Sequence, residues 1–144
     1  MNAESIAVML EKAKKVMQHS YSPYSQYPVG ACLKSDNEQY FVGTNIENAA
    51  FGLSTCAEAS AISAMVSAGC YKIHEILIVA AKDALCSPCG ACRQRIQEFA
   101  LEETKIHLCS QQGLQQTLTI NDLLPYSFSV RNLKHLSLKI GGKK

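Results

Sequence analysis

A chain of 144 residues, 47% apolar and 18% charged, has the material for one ordinary hydrophobic core, so a single domain over residues 1–144 is expected. A formal charge of +2, with its basic cluster confined to the Lys143-Lys144 tail, argues against a phosphate-tracking surface and a nucleic-acid partner. The N-terminus alternates apolar and charged residues and lacks both a signal-peptide core and a membrane span, so the seven cysteines, odd in number, read as thiols or metal ligands of a cytoplasmic protein.

Ile6, Met9, Leu10, Ala13, Val16 and Met17 recur at helical spacing, with Glu4, Glu11, Lys12, Lys14 and Lys15 on the other faces. This predicts an amphipathic helix ending near residues 19–20, where the loop SYSPYSQYP begins. Tyr21, Tyr24 and Tyr27 in that loop read as core edges, although three so close together also suit a pocket wall. Residues 29–33 and 39–44 flank the polar turn SDNE as an antiparallel hairpin. In the stretch NIENAAFGLST that follows, Asn45, Glu47 and Asn48 could bind hydroxyl groups or satisfy local backbone.

Thr55-Cys56-Ala57-Glu58 matches a capping box ahead of an alanine-rich, buried helix running to about residue 67 and ended by Gly69. Residues 75–81 are an almost uninterrupted apolar run, as a central strand covered on both faces would be. Ser87 suits an N-cap and Pro88 a first helical position, with Cys92, Ile96, Phe99 and Ala100 continuing one stripe. Two further strands are expected at 105–109 and about 114–120, and the Leu123-Leu124-Pro125 turn precedes a tail that from about residue 130 is expected to be less ordered. The sum is a layered α/β domain with a mixed sheet and the buried helix against one face.

Cys89 and Cys92 form an i, i+3 pair on one helical face, and Cys56 opens the preceding helix. Three chemistries compete for such a set. The run Cys86, Cys89, Cys92 begins a ferredoxin-like spacing, but Ile96 stands where the fourth cysteine would fall. A redox dithiol leaves Cys56 and Glu58 without a role, and a closed structural zinc would need Cys86 or a histidine as a fourth ligand. Catalytic zinc explains more, because both ligand-bearing turns lie at helix N-termini that favour thiolate, a fourth position stays open for water, and Glu58 stands two residues past a ligand. Cys32, Cys70 and Cys109 read as ordinary half-buried or buried thiols.

TCAE followed by SPCGACRQ resembles the zinc-dependent nucleoside and nucleobase deaminases, with their non-ligating glutamate. SPYSQYPVGA, GTNIENA and NDLLPYSF narrow the resemblance to the small cytidine deaminases of pyrimidine salvage, over residues 21–128. That resemblance implies a three-layer α/β/α fold with a five-stranded mixed sheet, and hydrolysis of cytidine or deoxycytidine to uridine or deoxyuridine and ammonia. It implies one zinc per subunit on Cys56, Cys89 and Cys92, with Glu58 as the proton shuttle during attack of zinc-activated water at C4. Asn45 and Glu47 would hold the ribose hydroxyls, Tyr27 would face the pyrimidine where the family more often has phenylalanine, and Ala57 would belong to the same site. Phe128 would enter the site of a neighbouring subunit, which implies a homotetramer with composite sites.

Where three-cysteine members of the family usually have arginine, this chain has Ala59, although zinc with three thiolates carries a charge of about −1. The helix termini, aided by Arg93 or Arg95, are expected to carry the compensation. Two other functions compete. A same-fold deaminase acting on a base in RNA or DNA, or on a modified nucleoside, usually has histidine as first ligand and needs a basic approach surface. A zinc-stabilised binding protein would have Cys86 closing the site and Glu58 serving only as a helix cap.

Overall fold

The N-terminal apolar stripe forms α1 (Ala3–Met17), with Ile6, Met9, Ala13 and Met17 buried, in a computed structural model that describes residues 3–82 and 85–133. The end of the expected tail, with Lys143-Lys144, lies outside the described residues. The helix stops before residues 19–20 because the backbone is pulled into pairing with the segment after the hairpin, Tyr21 N–H donating to Asn45 O at 3.1 Å and Glu47 N–H to Tyr21 O at 2.8 Å.

The hairpin is β1 (Val29–Ser35) and β2 (Tyr40–Thr44), and its turn takes Glu38 to a φ of 66°. There follow α2 (Ala57–Ser67), β3 (Ile73–Ala80), α3 (Gly90–Phe99), β4 (Ala100–Ser110), β5 (Gly113–Leu118) and α4 (Ile120–Leu123). The strands form one sheet in the order β2-β1-β3-β4-β5, with β3 and β4 parallel and the other pairs antiparallel. This is the expected mixed sheet, and β3 is central.

Because side chains alternate along a strand, β3 sends Leu77 and Val79 to one face and Ile76 and Ile78 to the other. The first pair packs with Cys32 and Cys109 against Met9 and Ala13 of α1. The second packs with Leu33, Ile106 and Leu108 against Ala61 and Met65 of α2 and Ile96 of α3, which completes three layers. Two glycines let the helices approach closely. A Cβ on Gly30 would sit 3.0 Å from Cβ of Met17 and nearer still to the Ala13 carbonyl, and one on Gly43 would sit 2.7 Å from the Ala57 carbonyl.

Four differences from the sequence reading have a clear physical cause. β4 begins at Ala100 rather than 105, because the buried Thr104 hydroxyl donates to Ile73 O at 2.6 Å and accepts from Leu101 N–H at 2.7 Å, which secures an irregular stretch of the β3–β4 ladder. The capping box at Thr55 does not form. Thr55 exchanges backbone hydrogen bonds with Ile46, both at 2.8 Å, and Cys56 becomes the N-cap of α2 without a side-chain capping bond. Likewise α3 starts at Gly90 with Cys89 as N-cap, because Ser87 and Pro88 are occupied as acceptors for Arg93. The capping box that does form joins Thr119 and Asp122 at α4, ending β5 before residue 120.

Candidate active site

Both helix N-caps at this site are cysteines, Cys56 on α2 and Cys89 on α3, and Cys92 lies in the first turn of α3. Unpaired N–H groups and the helix dipole favour the anionic sulfur at such positions. The sulfurs of Cys56 and Cys92 meet in disulfide contact, with their Cα atoms 7.4 Å apart. That separation is wider than the roughly 4.4–6.8 Å of ordinary disulfides and better suits two ligands of a common ion.

Glu58, one helical position past Ala57, is 4% exposed and completes the group, since its carboxylate and the two sulfurs all lie within 4.8 Å of one another. Burial pushes its carboxyl above the ordinary carboxylate range, against the opposing pull of its own backbone amide and of Arg95. A shift in that direction suits a carboxyl that has both to accept and to donate a proton.

Cys89 is exposed and lies outside this tight cluster, but it lines the same cavity as Cys56, Glu58 and Cys92. A set of thiolates with a neighbouring carboxylate is a soft donor set that fits zinc. Cys86, which a closed four-ligand site would need, instead hydrogen-bonds Tyr27 and is not part of the cluster. That bond is the main reason the Tyr27 phenol lies above its ordinary range, while burial raises the Cys86 thiol. Arg95 reaches the cluster from α3, its Nη1 lying 3.8 Å from Cys56 Sγ and 4.0 Å from Cys92 Sγ. Arg93 turns away, donating to Pro88 O, Leu123 O and Ser87 Oγ, each at 2.8 Å.

The cavity beside the cluster has a volume of about 410 Å³ and brings Tyr27, Asn45, Glu47 and Ala57 together with the cysteines and Glu58. Asn45 satisfies its local surroundings and also lines the cavity. Its Oδ1 accepts from Ser20 Oγ at 2.6 Å and Val29 N–H at 3.0 Å, and its Nδ2 donates to Tyr27 O at 2.9 Å, which uses one of its two amide hydrogens. Glu47 accepts from Tyr24 N–H at 3.0 Å, from Ser25 N–H at 3.1 Å and from the Ser25 hydroxyl, and these bonds, the hydroxyl foremost, hold its carboxyl below the ordinary range. Asn48 is exposed and engaged locally, its Oδ1 accepting from Ala50 N–H at 2.9 Å.

Tyr21 and Tyr24 are exposed rather than core edges, and the Tyr24–Ser25 backbone donates to the Glu47 carboxylate at the cavity. Phe128 is 59% exposed and does not line this cavity, although its carbonyl accepts from Gln94 Nε2 of α3 at 2.9 Å. A larger hollow of about 700 Å³, near Lys72, Glu98 and Arg131, holds neither cysteine nor histidine among the described residues. The sequence reading gave no role to Ser25, although it lies within SPYSQYPVGA, and missed Gly43, which a glycine inside a strand does mark as a point of close approach.

Residues 3–108 match the family model described as the cytidine and deoxycytidylate deaminase zinc-binding region. The sequence is 36% identical over 127 residues to a cytidine deaminase of Sporosarcina psychrophila, spanning 88% of this chain and 93% of that one. It is also 36% identical over 126 residues to a cytidine deaminase of Halalkalibacterium halodurans, spanning 88% and 96% respectively. The backbone matches the crystal structure of a cytidine deaminase from Burkholderia pseudomallei with a TM-score of 0.80 at 34% identity, covering 89% of this chain and 100% of that one.

Proposed function

The chain belongs to the cytidine and deoxycytidylate deaminase zinc-binding family, and from that premise we propose that it hydrolyses cytidine, and deoxycytidine, to the corresponding uridine nucleoside and ammonia. The observation that carries this reading is the buried Glu58 carboxylate within 4.8 Å of the Cys56 and Cys92 sulfurs, on the wall of a cavity that also holds Asn45 and Glu47. The whole chain acts as one domain.

Cys56, Cys89 and Cys92, which line this cavity, would hold the zinc. When bound, the zinc supplies Lewis-acid chemistry that makes the attacking water acidic near neutral pH. Glu58 takes the proton from that water and passes it to N3 of the cytosine ring as the bond from oxygen to C4 forms. C4 becomes tetrahedral, and Glu58 then moves the remaining hydroxyl proton to the amino nitrogen. The C4–N bond breaks, its electron pair leaves with ammonia, and the C4 carbonyl of uridine remains. Glu47, held ionised by the Tyr24–Ser25 turn, accepts from ribose hydroxyls, and Asn45 adds an amide donor beside it. Tyr27 and Ala57 border the base.

The site is completed in a homotetramer, where Phe128 of one subunit enters the cavity of another. Supporting this is the exposure of Phe128 and of two further large apolar side chains, Phe51, 74% exposed, and Leu53, 71% exposed. The protein works in the cytoplasm as part of pyrimidine salvage; among the described residues no helix is long and apolar enough to cross a membrane. The test is Glu58→Gln assayed for ammonia release from cytidine, deoxycytidine and a cytosine-containing oligonucleotide. Turnover of both nucleosides falls about 10²–10⁴-fold, as expected for loss of a positioned acid–base group. Turnover within a few-fold of wild type removes the shuttle, and release from the oligonucleotide alone overturns the nucleoside reading.

A further inference from the structure

Three thiolates on one divalent zinc leave a net charge of about −1, which has to be balanced if the metal is to stay bound and remain an effective Lewis acid. Position 59, the second residue after Cys56 plus one more along α2, is an alanine and supplies no charge. The two helix N-termini supply only partial charges.

Arg95 lies three residues beyond Cys92, so the two share one face of α3. Long side chains on a helix lean toward its N-terminus, which carries the guanidinium back over the cysteines. Its Nη1 lies 3.8 Å from Cys56 Sγ and 4.0 Å from Cys92 Sγ, so one N–H group addresses sulfurs from both helices. Arg93 cannot share the task, because its guanidinium is spent on Pro88, Ser87 and Leu123. Arg95 and Ala59 line one hollow of about 360 Å³ together with Ser63 and Glu98. A guanidinium entering from either helix would therefore occupy the same space, and the short Ala59 side chain leaves it to Arg95.

We propose that Arg95 is the counter-cation of the zinc–thiolate cluster, doing from α3 what an arginine at position 59 would do from α2. It is a positioning residue, acting on the zinc through Cys56 and Cys92, and it does not line the substrate cavity. The inference rests on the zinc ligands proposed above.

The test compares zinc-loaded wild type, Arg95→Gln, Arg95→Lys and the double variant Arg95→Gln/Ala59→Arg by competition with a chromogenic zinc chelator at fixed pH. Removing a partner of a metal ligand typically costs 10–100-fold in affinity, and because Arg95 is exposed on the single chain the lower end, roughly tenfold, is expected for Arg95→Gln. Arg95→Lys retains part of the affinity, since it keeps the charge without the planar fork. The double variant regains most of it. The gap between wild type and Arg95→Gln narrows in about 1 M salt, where exposed charges are screened, a response that lost packing alone does not give. With zinc saturating, Arg95→Gln lowers kcat and leaves KM for cytidine nearly unchanged. Equal zinc retention by Arg95→Gln and wild type, or no recovery in the double variant, overturns the proposal. Cys56→Ser separates the two levels of the account: zinc lost there but kept in Arg95→Gln removes only the role of Arg95, whereas zinc fully retained in Cys56→Ser removes the ligand set itself.

Discussion

Replacing Gly43 by alanine puts a methyl carbon 2.7 Å from the Ala57 carbonyl oxygen and 2.7 Å from Cβ of Ser60, with the Ala61 amide nitrogen closer still. All three neighbours belong to α2, two of them are backbone atoms, and no rotamer change can move them aside. Ordinary contact begins near 3.4 Å, so α2 must retreat from β2 by roughly 0.7 Å or more. Overpacking of this kind costs about 1–3 kcal/mol. For a chain of this length a loss of about 2 kcal/mol lowers Tm by roughly 4–8 °C. The retreat also carries Cys56 and Glu58 away from Cys92, which is fixed on α3. A misplacement approaching 1 Å costs on the order of 10²-fold in rate, so kcat/KM for cytidine falls about 10–100-fold at a temperature where the variant is still folded. The assays are thermal unfolding and the absorbance change on deamination. Gly43→Ala with unchanged Tm and kcat/KM within about threefold of wild type refutes the close-packed seating of α2 as what aligns the site.

Thiol titration at pH 8 separates the cysteines by environment: Cys32, pushed up to about 12 by burial, and Cys109, pushed up to about 11 by burial, stay unreactive in the folded protein. Anaerobic chelation of zinc adds the thiols of Cys56, Cys89 and Cys92, and an unchanged thiol count contradicts their ligand role. Ser25→Ala removes the hydroxyl bond that chiefly depresses the Glu47 carboxyl. The charged form of Glu47 is kept above the ordinary carboxylate range and lost only as pH falls through its lowered value, so in Ser25→Ala the acid-side rise in KM for cytidine moves to higher pH; an unmoved profile disproves the link. In the α1-facing layer His107, fully buried, bonds Glu75 at 2.8 Å and Thr117 at 2.9 Å. Glu75→Ala leaves the Nε2 side of that imidazole without its partner and costs about 1–3 kcal/mol in denaturant unfolding, and a midpoint equal to wild type dismisses the pair as a stabilising contact.

The architecture was legible because its signals are local. The stripe of α1 and the apolar run of β3 are periodicities that burial imposes directly, and both appear where the sequence puts them. Helix starts were less legible, because TCAE and SPCG carry good capping residues that tertiary pairing diverts, Thr55 to Ile46 and Ser87 to Arg93. The outcome is chemically pointed, since each cap position falls to a cysteine. The first residues of β4 lie before the strand expected from 105, where the buried Thr104 hydroxyl, bonded to Ile73 O, secures an irregular pairing with β3 that carries no local signal. At the site, spacing alone joined Cys89 to Cys92, whereas the tight cluster in the fold is Cys56, Glu58 and Cys92, a juxtaposition across α2 and α3 that no sequence interval encodes. The choice between Arg93 and Arg95 was equally hidden. It depends on Leu123 and Pro88 offering carbonyls to one guanidinium and leaving the other to the sulfurs.

Metal-dependent turnover of the nucleoside is the direct test of the whole account: ammonia released from cytidine is followed with zinc-loaded protein, with the same preparation after chelation, and after zinc is restored. Rapid release, its loss with the metal and its return on adding zinc are the results expected. Equal release from the zinc-free protein, or none from protein carrying one zinc per chain, contradicts it.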